Sequence, residues 1–378
     1  MAVRPTTPAA VIAVLMAGAL LAGAQLYLTV PLLPELMTRF HVDAPAAAWA
    51  STAFGLAYAA GNLVFGTVSD RVDPRRVMAA GLVANAVATV AAGLAPTFGL
   101  LVATRTLQGF TAAAFPPVAL AFVGEVLPPR RRAFGLAGIS SCFLLAGIAG
   151  QAYALGVGAT LGWTWVYLLL VAPLLPCAWF AARLPAPTRV RGRGADRPGG
   201  DVGLWQLLRR PPLLMGYVCA AALLLTFVAM YGALNAAVGD RYQITGPWPL
   251  LLVRLPGLPG IVAGIGAGWL INRLGPYRTG GLAFLTAATG MCVEATAGPL
   301  WLLLAGSAVY VAGLAVAIPA AVASVGAASA PARGTGIAGY GFIIGLGAAA
   351  APLLVAGMAD AGFTALAGVL TGLLLLAA

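Results

Sequence analysis

The sequence predicts an all-α membrane protein with twelve transmembrane helices in two pseudo-symmetric six-helix bundles. Three observations lead there. Apolar residues make up 61% of the 378 residues, charged residues only 8%, and the mean hydropathy is +0.96; a soluble domain carries roughly 25% charged residues. The apolar runs are continuous rather than alternating, and about 20 such residues cross a bilayer as a helix. The second half also repeats landmarks of the first at a nearly constant offset. Because lipid offers no partner for backbone N–H and C=O groups, each run must pair its own, which a helix does and an open strand does not.

Spans are expected near residues 11–33, 46–68, 76–95, 97–123, 133–158, 163–182, 212–236, 249–271, 278–297, 299–328, 334–358 and 361–378. Span one follows Arg4 and runs past the signal-like Ala22-Gly23-Ala24 as far as Pro34, so it reads as a retained helix and not a cleaved leader. Span two ends in the charged stretch GTVSDRVDPRR at 66–76, after which span three begins. Span four carries Arg105 and, one turn on, Gln108. Span five follows Arg130, Arg131 and Arg132 and gives way to span six at Gly162-Trp163. The stretch 184–203, rich in Pro, Gly and Arg, reads as a flexible connector. Spans seven and eight follow, with Arg254 near the start of eight. The stretch GWLINRLGPYR at 268–278 leads into span nine, which holds Glu294; Gly298-Pro299 opens span ten, and Gly362-Phe363 separates eleven from twelve. The domains expected are therefore 1–183, a cytoplasmic linker at 184–211, and 212–378.

The net charge of +11 follows from topology. If the N-terminus is inside, 17 of the 21 basic residues, all arginines, fall in cytoplasmic segments, and only Arg39 and Arg241 fall in outer loops. That is the positive-inside bias, and it predicts cytoplasmic termini. Nucleic-acid binding is not expected: RVRGRG at 189–194 reads as a tether beside anionic lipid. No metal site, cofactor or disulfide is expected, since Cys142, Cys177, Cys219 and Cys292 lie unpaired within spans. GIGAG at 264–268 lacks the strand and Lys of a phosphate loop and reads as a close-packing helix face.

The halves register three times. Gly66 and Gly268 are 202 residues apart, RRAFGLAG and ARGTGIAG are 201 apart at Arg132 and Arg333, and Gly162 and Gly362 are 200 apart. The second half is read as a diverged duplicate of the first. With twelve spans, a long middle loop and Gly66, Asp70, Arg71 between spans two and three, the chain resembles the major facilitator superfamily. Arg105-Thr-Leu-Gln108-Gly109 resembles the R-x-x-Q-G motif of its proton-linked exporters. There are departures. Asp73-Pro74 stands where Gly and a basic residue are usual, Asn272 replaces the acid in the second copy, and Gln151-Ala152 replaces the Gly-Pro of the antiporter motif in span five. Pro74 still fixes φ for a turn, and the Asp73 side chain can accept from the backbone that follows.

A cytoplasmic gate is expected from Gly66, Asp70, Arg71, Arg75 and Glu125. An acid such as Asp70 suits a helix N-terminus, which the resemblance identifies as that of span eleven; Glu125 is placed to pair with Arg71 or Arg75. Ionisable and strongly polar residues inside spans mark a transport pathway. The candidates are Arg105, Gln108, Gln25, Tyr27, Tyr58, Tyr231, Asn235, Glu294 and Arg254. Exporters of the family often carry an acid in span one, where this chain has Gln25 and Tyr27.

The expectation is a secondary transporter, not an enzyme, of a bacterial inner membrane. It would be a multi-pass monomer in the lipid bilayer, working by alternating access. Its partner would be a small-molecule substrate, exported as a small hydrophobic molecule by coupling to the proton gradient in the manner of multidrug resistance. The alternative is an uptake permease for an anionic or neutral metabolite.

Overall fold

The structure, a computed structural model, describes residues 7–69, 71–186, 210–244, 246–329 and 333–378. Those residues contain helices and no strand. Span one is α1 (Pro8–Tyr27), a 3-10 turn at Val30–Leu32 and α2 (Leu33–Phe40). Spans two and three are α3 (Ala44–Val68) and α4 (Pro74–Gly93). Span four is split at Pro116-Pro117 into α5 (Phe98–Ala112) and α6 (Pro116–Val126), since proline removes a helix donor. Then come α7 (Pro129–Leu161), α8 (Trp163–Ala182) and α9 (Pro211–Tyr242). Span eight is α10 (Pro247–Arg254) and α11 (Gly257–Leu274). Spans nine to twelve are α12 (Pro276–Thr296), α13 (Leu300–Ala328), α14 (Arg333–Gly357) and α15 (Gly362–Ala377).

Among the described residues nine helices are long and apolar enough to cross a membrane, or ten if Trp248–Gly264 and Gly266–Leu274, bent by 48°, make one crossing. The other two expected spans, α3 and α12, are helices of 25 and 21 residues. Polar side chains dilute both: Ser51, Thr52 and Asn62 in α3, and Thr279, Thr286, Thr289 and Glu294 in α12. Ser51, Thr52, Asn62, Thr279 and Glu294 are buried within the protein, whereas the exposed Thr286 and Thr289 donate their hydroxyls to carbonyls of their own helix. α3 lies between α5 and α14, and α12 packs on α13 and α15.

Duplication is visible in the backbone. Gly162 and Gly362 both take positive φ, +86° and +79°, at the turn into spans six and twelve. A side chain would be strained there, so both copies keep glycine. Within the first half α1 packs on α7, α3 on α5, and α4 on α5 and α8; within the second α9 packs on α14 and α15, and α11 and α12 on α13. The halves meet along two seams, α3 with α14 and α7 with α11. In span numbers these are two with eleven and five with eight, pairs that the repeat exchanges. The first seam is built from small residues. A Cβ on Gly55 would lie 2.8 Å from Ala349 Cα, and one on Gly345 2.8 Å from Ala59 Cα. In lipid, where burial of apolar surface does not drive helices together, such close backbone contact supplies the dispersion that holds them.

Candidate functional site

The corner between α3 and α4 sits beside span eleven at its start: a Cβ on Gly66 would lie 3.7 Å from Ala338 Cβ. Asp70 and residues 330–332 lie outside the described residues, so the expected contact of Asp70 with the start of span eleven lies outside them too. Asp73 forms the turn expected of it, accepting from the Arg75 N–H at 3.0 Å and capping α4. One expectation is corrected here. Arg75 pairs with Asp73 at 2.6 Å and donates to the Leu184 carbonyl at 3.1 Å, so its guanidinium is taken up by its own turn and the residues after α8, and not by Glu125. Arg71 is exposed, and half-buried Glu125 makes no ion pair among the described residues. The Arg75 hydrogen bonds hold the Asp73 carboxyl below the usual carboxylate range.

Inside the first half, Arg105, Gln108 and Gln25 converge, all fully buried. The Arg105 guanidinium donates to the Ala50 carbonyl on α3 (3.1 Å), the Gln25 carbonyl on α1 (3.1 Å) and Gln108 Oε1 (2.6 Å). Its face lies 4.2 Å from the Phe54 ring centroid. Gln108 donates to Gln25 Oε1 and to Thr89 Oγ1 (2.8 Å), Gln25 donates to Asn85 Oδ1 (2.7 Å), and Asn85 donates to the Gln108 carbonyl (2.9 Å). The R-x-x-Q-G spacing now has a reason. Arg105 and Gln108 stand one turn apart on the inner face, and Gly109 lets α5 approach so closely that a Cβ there would overlap the Phe54 carbonyl. No carboxylate takes part. The cation ties α1, α3 and α5, and the amides of Gln25 and Gln108 join α4 to them through Asn85 and Thr89.

A second polar cluster lies where the second half meets α7. Arg254 donates to Asn235 Oδ1 (2.7 Å), to the Tyr231 carbonyl (3.2 Å) and, across the seam, to Gln151 Oε1 (2.9 Å). Glu294 and Ser307 are buried nearby, and Glu294 packs on Gly306 of α13, where a Cβ would lie 3.1 Å from its Cγ. In contrast to the first cluster, Arg254 Nε, Gln151 Nε2, the Tyr231 and Ser307 hydroxyls and both Glu294 carboxylate oxygens are buried without a protein hydrogen bond.

Between the clusters the centre is filled with rings. Tyr27 of α1 meets Phe227 of α9 edge-on at 5.7 Å, and Phe227 meets Tyr231 at 5.0 Å. Phe54 stacks on Tyr58 at 6.1 Å, and the Tyr310 hydroxyl donates to Thr226 Oγ1 at 3.1 Å. A small void of about 10 Å³, lined by Ser140, Ser141 and Gly264 among others, remains in the α7–α11 seam. The structure thus joins Arg105, Gln108 and Gln25 in one group and Arg254, Asn235, Tyr231 and Glu294 in another, with Tyr27 and Tyr58 between.

Sequence reasoning missed Asn85, Thr89, Gln151, Ser307 and Thr226, all fully or almost fully buried. Asn85 and Thr89, four apart in an apolar helix, share a face and carry a signal; Gln151 reads in the sequence only as a departure from a motif. Glu35 also has a role not anticipated: it accepts from the Trp163 N–H at 3.2 Å, at the start of α8.

Comparison with known proteins agrees with this architecture. The sequence profile described as Major Facilitator Superfamily matches residues 15–292. The probable transporter SCO4007 of Streptomyces coelicolor is 30% identical over 313 residues, which cover 76% of this chain and 67% of that protein. Puromycin resistance protein pur8 of Streptomyces alboniger is 32% identical over 180 residues, 45% of this chain and 34% of that one. Several of these matches are partial: the first three curated relatives are spanned over 26%, 42% and 34% of their lengths. Among solved structures, the human organic anion transporter MFSD10 superposes with a TM-score of 0.74 at 22% identity, covering 97% of both chains, and so shares the fold.

Proposed function

The chain belongs to the major facilitator superfamily, and on that premise we propose that it exports small hydrophobic molecules by proton-coupled alternating access. It is a multi-pass membrane transporter and not an enzyme; the direction, the coupling ion, a monomeric state and cytoplasmic termini in a bacterial inner membrane are our reading. The observation that carries it is the pair of seams around an aromatic centre. Rocking of one half on the other would open both seams at the same end and uncover Tyr27, Phe54, Tyr58 and Phe227, surface suited to an apolar guest. The resistance function in the name of the Streptomyces alboniger relative supports export.

A second reading, transport of an anion, is favoured by Arg105 and Arg254, two buried guanidinium groups that no carboxylate pairs among the described residues. Everted vesicles under an imposed proton gradient test the choice. Accumulation of puromycin or ethidium, with proton movement on adding the probe, is expected for export. Vesicles that ignore both probes but take up an organic anion would replace it with the second reading.

A further inference from the structure

Proton coupling, which this inference takes from the proposed function, needs a group that gains and loses a proton within the protein. Span one does not provide it: Gln25 stands where an acid is usual, and its amide is held by Asn85, Thr89 and Gln108. Glu294 is the one fully buried acidic side chain among the described residues. It lies two residues from the end of α12.

We propose that Glu294 is the proton-binding residue of the transport cycle, with the Ser307 and Tyr231 hydroxyls as the donors that receive it when it ionises. A buried carboxylate without a cation or hydrogen-bond donors is several kcal/mol out of balance. Neither Glu294 oxygen has a protein hydrogen bond here, so the closed arrangement suits the neutral acid. The means of holding a charge are nevertheless adjacent. The Ser307 hydroxyl lies close enough to act on both the Glu294 carboxyl and the Tyr231 hydroxyl, yet neither contact meets hydrogen-bond geometry in the closed arrangement. A small shift of α12 against α13 would let both hydroxyls donate to the carboxylate. The contact between those helices runs along glycines: added Cβ atoms at Gly290 and Gly313 would strike the facing backbone, leaving a smooth surface for sliding.

The other groups around Glu294 leave it the only buried acid; Asp240 and Arg241, at the end of α9, are both exposed. Among the described residues α13 presents Tyr310, bonded to Thr226, and α15 contains no ionisable residue. From α9 come Tyr231 and, at the end, Tyr242, whose hydroxyl donates to the Ala297 carbonyl at 3.4 Å; α11 has only Arg273, at its far end. Arg254 of α10 lies 5.8 Å from the Tyr231 ring centroid. Tyr231 therefore adjoins both the carboxyl and the cation that bonds Gln151 across the seam, so a change of charge at Glu294 reaches the contact that must break when the halves separate.

The test uses the full chain in lipid, without substrate. Infrared difference spectra during pH titration should show a carboxylic-acid carbonyl band that disappears at high pH. The band should be missing in Glu294→Gln and present, at a shifted frequency, in Glu294→Asp. In proteoliposomes with ethidium as the probe, Glu294→Gln should lose gradient-driven accumulation and its pH dependence, and Glu294→Asp should restore some of both. A wild-type spectrum without a titrating band that Glu294→Gln removes overturns the proposal, as does undiminished accumulation by Glu294→Gln. If the wild type shows the band but never moves the probe under a gradient, the export reading fails and the proton site stands. Should Glu294→Gln not fold, the wild-type and Glu294→Asp titrations still decide.

Discussion

Replacing Arg105 by Lys keeps the charge and removes the fork. Three donors now reach three acceptors on α1, α3 and α5 at 2.6–3.1 Å; a single ammonium cannot span them, and two of the three hydrogen bonds are lost. In water-soluble proteins a bond to a charged group contributes about 1.5–3 kcal/mol, which would give about 3–6 kcal/mol. Interhelical bonds in membranes measure about 0.6 kcal/mol on average and up to about 1.7, because the unfolded chain in lipid also finds partners. The membrane figure governs, so Arg105→Lys should destabilise the first half by about 1–3 kcal/mol. Arg105→Ala should do more, since Gln108 Oε1 loses the arginine that donates to it at 2.6 Å. The cysteines report the result. Cys142 and Cys177 are buried in the first half, Cys292 is exposed and Cys219 intermediate. With the latter two changed to Ser, maleimide reacts only when the first half opens. Arg105→Lys should shift that reaction to lower denaturant, and Arg105→Ala further. If both variants protect Cys142 and Cys177 like the parent, Arg105 is not the tie between these helices.

Gly345→Val places a side chain 2.8 Å from the Ala59 backbone; it should disfavour closure of the α3–α14 seam and abolish transport, read as spin-label distances between the halves fixed at the open value. Gln151→Leu removes the 2.9 Å bond from Arg254 across the other seam; the same distances should show a larger open population at the end of the seam where Arg254 lies, and an unchanged distribution would mean the bond is incidental. Asp73→Ala should weaken the start of α4 by about 1 kcal/mol through loss of the cap, seen as faster amide exchange at 75–77. Because the folded Asp73 carboxyl sits below its ordinary range, its support is present above the unfolded pKa of about 3.9 and fades as pH falls through the folded value. Protection of these amides, taken relative to the intrinsic exchange rate at each pH, should therefore fall only as pH drops below the ordinary carboxylate range. The side chain is partly exposed, so the ion pair itself adds well under about 1 kcal/mol.

What is legible in the sequence follows from what lipid demands. Continuous apolar runs and the arginine bias are imposed on every span, so helix positions are readable to within a few residues, even for α3 and α12, whose polar side chains are either buried or bonded to their own helix. The turn at Asp73-Pro74 is readable because proline and a neighbouring side-chain acceptor act locally. Partners are not. The sequence suggests Glu125, across the loop, for Arg75, yet Asp73, two residues away, takes it with far less loss of chain freedom. Arg105, Gln108 and Gln25 are each visible as polar residues in lipid, but their union needs α1 and α5 to come together, a distance of 80 residues along the chain. Ser307 gives no signal, since a serine in a membrane helix ordinarily bonds its own backbone; only the neighbouring carboxyl makes it unusual.

The two clusters differ in kind, and the difference suggests which region of the molecule changes during transport. In the first, every member from Gln25 to Arg105 has a hydrogen bond, and a saturated buried network is rigid because moving any member leaves another unpaired. Most of the unmatched buried polar atoms among the described residues lie instead around Arg254, Tyr231, Ser307 and Glu294, with Ser51 and Tyr340 the exceptions elsewhere. Unmatched groups disfavour the state that contains them and become matched in another, so such a cluster supplies a reason to leave the closed arrangement. The consequence is directional. Filling the second cluster with apolar groups, as in the pair Glu294→Leu with Ser307→Ala, should make the protein more stable and less active, whereas the same treatment of Gln25 and Gln108 should make it less stable. Measured in the same thiol-protection and ethidium assays, opposite signs of the two stability changes are required; matching signs would mean that the contrast in hydrogen bonding does not divide a scaffold from a moving element.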